Sequence, residues 1–266
     1  MDFAMVNGRL KTNSLEVHIV DHCNLRCWGC CSLSPMLPKA HTPPDDLQRD
    51  LALARQALSP TWFKLVGGEP LLHPQLLDCL RIVRESHIAE IVSVTTNGWL
   101  LPRMPDEFWR LTDAITISLY PQPALPEATI SHTQRMAERF HVRLNWKPQP
   151  QFVDMTRDTP ETDPAVNAEV WQSCWLRRRC HFMAKGQFYA CPRPAHFQTF
   201  FGDGEDFSGD GVLLREGPGL AEEIRDYLLR DEPLAACARC RGGNAELQPH
   251  RQLTSIEVRE AARAMQ

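Results

Sequence analysis

No stretch of this sequence approaches the ~18 consecutive apolar residues that a membrane-spanning helix requires, so a membrane partner is not expected. The opening MDFAMVNGRLKT has neither an apolar core nor a small-residue cleavage site, which argues against export and for a cytoplasmic location. A basic excess is missing too. Lys and Arg number 29 against 33 Asp and Glu, for a net charge of -4, so no nucleic-acid partner is expected. Internal repeats and heptad arrays are absent. What is there is ordinary for a folded protein. Apolar residues make up 43% and charged residues 23% of 266, enough for one large domain, or a medium domain with a small one.

Cysteine is the exception, with ten. Four stand at 23, 27, 30 and 31, and five at 174, 180, 191, 237 and 240, with Cys79 alone between. A chain of this size without an export signal does not need disulfide staples, and in a reducing compartment clustered cysteines hold metal or do chemistry. Their segregation predicts two sites. Cys79, inside a helical pattern, reads as a small core residue.

The pattern between the two sets alternates. SLEVHIV (14–20) has strand period, and TPPDDLQRDLALARQAL reads as a helix with Thr42 at its N-cap, Pro43 in its first position and Asp45 and Asp46 in its first turn. TWFKLV (61–66), AEIVSVTTNG (89–98), AITISLYP (114–121) and HVRLNWK (141–147) read as strands, with helices over 74–87 and TQRMAERF between them. Alternation of this kind predicts an α/β fold on a parallel sheet. Five strands are legible and a sixth is not placed. After Lys147 the chain turns polar and proline-rich (148–167), reading as a linker. Beyond it a hairpin turning at AKGQ, an acidic glycine-rich loop (202–211), a helix near 219–230 and a last helix over SIEVREAARAM are expected. The division is thus 1–150 and 151–266.

Cys23, Cys27 and Cys30 have the spacing C-x3-C-x2-C and follow the first strand, at the carboxyl end of the sheet where such folds place their sites. Three cysteines can ligate three irons of a [4Fe–4S] cube and leave the fourth open to a ligand. Structural zinc, the rival, prefers paired C-x2-C arms. GGEP (67–70) and TTNG (95–98) follow the next strands and share that edge. Their glycines let a ligand approach the backbone, and Thr96 and Asn97 suit ribose hydroxyls.

Together these motifs resemble the radical S-adenosylmethionine superfamily, over roughly residues 14–147. The resemblance implies a partial (β/α)6 TIM-like barrel, a cluster on Cys23, Cys27 and Cys30, and S-adenosylmethionine on its open iron. It further implies cofactor contacts from Gly67, Gly68, Glu69 and Pro70, and from Trp28, Thr96, Asn97 and Ser118. One departure stands out. The family often has an aromatic just before the third cysteine, and here that position is Gly29, which leaves adenine packing to Trp28 or to a residue elsewhere.

The second set resembles a twitch or shortened SPASM extension, a small cysteine-rich α+β unit with one auxiliary [4Fe–4S] cluster. Cys174, Gly186 and Cys191 fit C-x9-15-G-x4-C, and Cys237 and Cys240 form C-x2-C. Five cysteines then compete for four places. Cys180 is an alternate ligand, a hydrogen donor to a substrate radical, or a buried thiol. Cys31 reads as a packed thiol, and RRRCH (177–181) as a counter-charge to the cluster or a solvated face. Tyr120 and Lys147, at strand ends, point toward the barrel mouth. The reading is a radical enzyme of oxidoreductase or epimerase type, served by a flavodoxin- or ferredoxin-type reductant. About 14 residues precede the first strand, too few for a leader-binding domain, which favours a small-molecule substrate of sugar or secondary-metabolite type. The alternatives are a maturase of a ribosomally made peptide and a non-catalytic metal-binding or electron-transfer protein.

Overall fold

The structure, a computed structural model, describes residues 3–264. A short strand β1 (Met5–Val6) folds back on β2 (Arg9–Val20). There follow α1 (Pro44–Ala57), β3 (Leu58–Gly67), α2 (Leu76–Ser86), β4 (Ile91–Thr96), α3 (Asp106–Leu111), β5 (Ala114–Leu119), α4 (Glu127–Phe140) and β6 (Arg143–Pro148). The remainder holds β7 (Gln151–Val153), α5 (Pro164–Ser173), β8 (Phe182–Ala184), β9 (Gln187–Tyr189), α6 (Arg193–Phe201), β10 (Val212–Leu213), α7 (Leu220–Leu229), β11 (Leu247–Pro249) and α8 (Ser255–Ala264). Among the described residues no helix is long and apolar enough to cross a membrane.

The main sheet runs β10-β9-β8-β2-β3-β4-β5-β6. Strands β8 and β2 to β6 are parallel, β9 and β10 antiparallel, and the sheet is open rather than closed. This is the mixed α/β architecture that the strand and helix periodicities predict. The unplaced sixth parallel strand is β8. It pairs with β2, opposite β3, and comes from far down the chain. A three-residue strand carries too little periodicity to be read. Its hairpin turns at Lys185 and Gly186, both at positive φ (49° and 74°), as a two-residue turn between right-twisted strands demands.

One face of the sheet is apolar. Leu15, Val17, Ile19, Phe63, Leu65, Val92, Val94, Ile115 and Ile117 share one buried core with Leu47 and Leu51 of α1 and Leu80 and Val83 of α2. Cys79 lies in that core at 0% exposure, as read. The other face is polar, because the alternate positions carry Glu16, Lys64, Ser93, Thr95, Thr116, Ser118, Asn145 and Lys147, which the strand register sets side by side. Arg143 of β6 lies 4.9 Å over the Trp62 ring of β3. Three strand spacings, roughly 14 Å if flat, separate those strands, so this face curls inward.

Several local expectations change. Thr42 does not cap α1. The N-cap is Pro43, which offers no side-chain cap, Pro44 is the first helical residue, and the Thr42 hydroxyl donates to the His18 carbonyl at 3.1 Å. The helix ends at Ala57, and Leu58 opens β3 with no intervening loop. The stretch 148–167, read as a linker, contains β7, which pairs with β11 from the far end of the chain. Helices α3, α5 and α6 are additions to the sequence reading. The expected boundary at residue 150 falls between β6 and β7, and both the sheet and the main core draw on residues from either side of it.

Candidate functional site

The chain leaves β2 at Val20 and enters the cysteine loop. The end of β3 runs beside that loop, with Gly68 N–H donating to Val20 O at 2.8 Å and Glu69 N–H to His22 O at 3.1 Å. A Cβ at Gly67 would stand 2.3 Å from Val20 O, and one at Gly68 2.2 Å from His22 O. The glycines were expected to open the backbone to a ligand. On the side a Cβ would take, the approaching group is the chain itself.

Glu69 is fully buried and ties three segments together. Its Oε1 accepts from Leu71 N–H (3.0 Å) and from the Thr96 hydroxyl (2.7 Å), and its Oε2 from Asn97 N–H (2.8 Å). Burial pushes its carboxyl up to about 7 against these stabilising donors. Pro70 opens the turn that follows. Asn97 Nδ2 reaches Asn24 Oδ1 at 2.7 Å and lies 3.7 Å from Cys23 Sγ. The sequence motifs GGEP and TTNG are therefore joined to the cysteine loop by hydrogen bonds.

Each of the three sulfurs has polar partners. Cys23 Sγ accepts from Leu25 N–H at 3.4 Å, Cys27 Sγ has Gln252 Nε2 at 3.2 Å and His250 Nε2 at 3.4 Å, and Cys30 Sγ faces Ser32 Oγ at 3.3 Å. Burial pushes the Cys23 thiol up to about 12 and the Cys27 thiol up to about 11. As bare groups they are neutral thiols at pH 7. Donors aimed at sulfur suit thiolates, and a metal centre supplies the positive charge that makes thiolates stable there. The residues fit an iron–sulfur group on that count.

Trp28 is half-buried beneath the Arg251 guanidinium, 5.9 Å away. Gly29, at φ +68°, has Phe152 against the position of its missing side chain, 3.2 Å from a built Cβ. Phe152 stacks with Tyr120 at a ring centroid distance of 5.9 Å and lies tilted against His250 at 5.5 Å. An aromatic surface thus stands beside the loop without coming from it. Ser118 stands opposite Lys147 in the sheet, two residues before the half-buried Tyr120, whose pKa is raised by burial of its hydroxyl and by the nearby thiols. Residues 250–253 and Phe152 were not picked out in the sequence, since nothing in their local pattern signals proximity to Cys27.

The distal cysteines sort themselves. Cys174, Cys191, Cys237 and Cys240 line one cavity together with Val170, Trp171, Leu176, Leu234 and Ala236. Among the described residues no three His, Cys, Asp or Glu side chains converge on a single-ion point, and these four sulfurs ring the cavity instead. Gly243 N–H donates to Cys174 Sγ at 3.2 Å and Gly242 N–H to Cys240 Sγ at 3.3 Å. Burial pushes the Cys191 thiol well up and the Cys237 thiol up to about 12.

Two arginines complete that cavity. The Arg177 guanidinium donates to the carbonyl oxygens of Trp171, Leu228 and Arg230, and stacks 3.8 Å over the Trp171 ring. Arg193, 2% exposed, donates to Cys31 O (2.7 Å) and Thr156 Oγ1 (2.5 Å), while its buried Nε has no partner among the described residues. Buried guanidinium charge needs a nearby negative charge, and the four cysteines lining the same cavity would supply it as thiolates. Arg193 was missed in the sequence.

Cys180 does not line the cavity. It packs against the second core, with Leu33, Leu176 and Phe197, and the charges that bear on its thiol are led by Glu16 and Lys64 of the polar face, which pair at 2.8 Å. Burial raises its thiol, and pushes that of Cys31 up to about 12, so both stay protonated.

The model of the Radical SAM superfamily matches residues 17–120. The GTP 3',8-cyclase of Microcystis aeruginosa (strain NIES-843 / IAM M-2473) is 33% identical over 98 residues, which cover 35% of this chain and 29% of that protein. The GTP 3',8-cyclase of Acaryochloris marina (strain MBIC 11017) is 34% identical over 139 residues, 49% of this chain and 40% of that protein. The chain thus spans less than half the length of these curated relatives. Among solved structures, BtrN in complex with AdoMet and 2-DOIA superposes with a TM-score of 0.55 over 88% of this chain and 94% of that one, at 13% identity, a likeness of fold.

Proposed function

We propose that the Radical SAM superfamily domain at residues 17–120 holds a [4Fe–4S] cube on Cys23, Cys27 and Cys30 and S-adenosylmethionine on its open iron. The observation that carries this reading is the joining of the cysteine loop, through Asn97 at Asn24 and Cys23, to the Glu69–Thr96–Asn97 network at one edge of the sheet, with polar partners on all three sulfurs. When bound and reduced, the pair supplies a 5′-deoxyadenosyl radical for hydrogen abstraction. The chain's own residues do the rest. Glu69 fixes the loops after β3 and β4, Asn97 reaches from the second to the cysteine loop, and Tyr120, Phe152 and His250 exclude water beside Cys27.

Cys174, Cys191, Cys237 and Cys240 are proposed to hold one auxiliary cluster, with Arg177 and Arg193 as its counter-charges. Cys180, outside that set, is the proposed hydrogen-atom donor on the polar face. Its S–H bond breaks as a substrate C–H bond forms, and the sulfur radical regains one electron from the external reductant and a proton from water. That role suits epimerisation, and loss of a second electron from the substrate to the auxiliary cluster suits dehydrogenation. A flavodoxin- or ferredoxin-type protein is the proposed electron source.

The substrate class proposed is a small polar molecule of sugar or secondary-metabolite type, supported by the donors and acceptors of Glu16, Lys64, Thr95, Thr116, Asn145 and Lys147. The curated relatives named GTP 3',8-cyclase raise a nucleotide instead, but the matched length is too short to carry a substrate across. The test is anaerobic reconstitution, which should give about eight irons per chain, about four for each cube. With dithionite and S-adenosylmethionine, 5′-deoxyadenosine should form, and should not form in Cys27→Ala. A wild type that keeps its iron yet never yields 5′-deoxyadenosine would return the protein to the electron-transfer class.

A further inference from the structure

The sheet that launches the cysteine loop is not its only support. After β11 the chain runs antiparallel beside the loop. Trp28 N–H donates to Arg251 O at 3.0 Å and Leu253 N–H to Arg26 O at 2.6 Å, and Cys27 and Gln252 form a bridge pair. This strap is itself anchored, since β11 pairs with β7 and His250 stacks 5.0 Å from Tyr120.

Within the strap the Gln252 side chain turns back toward the loop. Its Oε1 accepts from Arg26 N–H at 2.6 Å. A backbone N–H can only donate, so the amide oxygen must face it and the NH2 must face the other way. That nitrogen lies 3.2 Å from Cys27 Sγ, 3.2 Å from Gln122 O and 3.2 Å from His250 Nε2. The orientation of the amide is thus fixed by a group outside the sulfur contact, and the donor aimed at Cys27 is held in place before any cluster binds.

We infer that Gln252 is a positioning residue for the iron–sulfur group on Cys23, Cys27 and Cys30, and that its N–H···S hydrogen bond to Cys27 raises that group's reduction potential. The inference rests on the cluster assignment under Proposed function. The physical reason is charge. One-electron reduction puts more negative charge on the thiolates, so a donor fixed on one of them stabilises the reduced state more than the oxidised one. Two segments 225 residues apart in sequence would then set how readily the first electron enters.

The test uses the full chain, reconstituted anaerobically, with the EPR signal that S-adenosylmethionine perturbs followed against applied potential. Gln252→Met keeps length and the backbone bridge but removes the donor. Gln252→Glu keeps shape and turns an acceptor toward the sulfur. Leu253→Ala loosens the strap and leaves the amide. At fixed potential the ratio of reduced to oxidised cluster should fall about tenfold in Gln252→Met, which is 59 mV for one electron, and further in Gln252→Glu, with Leu253→Ala as wild type. The idea is overturned if Gln252→Met titrates with wild type, or if Leu253→Ala shifts as far. Should Gln252→Met take up no iron while Leu253→Ala loads normally, the amide's support of Cys27 stands. Loss of iron in both assigns the effect to the strap and overturns it. A wild type without an S-adenosylmethionine-sensitive signal removes the cluster assignment itself, separately from any variant.

Discussion

Glu69 places a carboxylate where water cannot reach it and surrounds it with three donors. Glu69→Gln must turn its NH2 toward a backbone N–H, either Leu71 or Asn97, whichever oxygen it replaces. Two facing donors in a buried site should lower stability by about 1–3 kcal/mol in chemical denaturation. The pH dependence has a definite sign. A folded-state pKa of about 7 against an unfolded value of 4.5 means the folded protein holds the proton more tightly. Stability from this group is therefore full below about pH 4.5 and is lost as pH rises through 7, on the order of 3 kcal/mol. Denaturation midpoints measured from pH 4.5 to 7.5 should fall for wild type and show less of that slope in Glu69→Gln. The cysteines make a second residue-scale prediction. Cys191→Ala should lose about four irons per chain after reconstitution, whereas Cys180→Ala should keep them all and alter only the product. Equal iron loss in both would put Cys180 back among the ligands.

At the scale of elements, the seam between the end of β3 and the cysteine loop depends on two residues without side chains. Gly68→Ala sets a Cβ 2.2 Å from a carbonyl that cannot retreat without moving Cys23. It should cost about 3 kcal/mol in thermal or urea unfolding, with iron uptake reduced in parallel. A variant as stable as wild type would show the seam to be softer than its geometry. The same seam marks what the sequence makes legible. GGEP and TTNG lie immediately after strands with plain alternation, so their edge of the sheet follows from period alone. The helix-capping reading at Thr42 failed because two consecutive prolines moved the helix start by one residue, and the Thr42 hydroxyl found the His18 carbonyl instead. Helices α5 and α6 escaped notice because each presents only weak amphipathic contrast, Arg193 and His196 being buried alongside Phe197.

Over the whole molecule, the C-terminal third completes the sheet rather than hanging from it. β8 adds to β2, β9 and β10 bring Phe188 and Val212 into the main core, and β11 reaches back to β7 beside the loop. Urea unfolding should give coincident transitions by far-UV circular dichroism and by tryptophan fluorescence. A chain ending at Gln149 should show no cooperative transition, and a sharp one would mean that the first part folds alone.

Period and spacing, which act within a few residues, determined the α/β class, the loop of Cys23, Cys27 and Cys30, and the motifs that share its edge. They could not determine which four of five distal cysteines gather, that Arg193 and Gln252 belong beside sulfurs far from them in sequence, or that Phe152 packs on Gly29 of the cysteine loop. Those contacts exist only because the closing strands fold across the sheet. The reason is that a local pattern reports which face a residue turns, while the identity of what it meets there is set by packing between segments that sequence distance does not reveal.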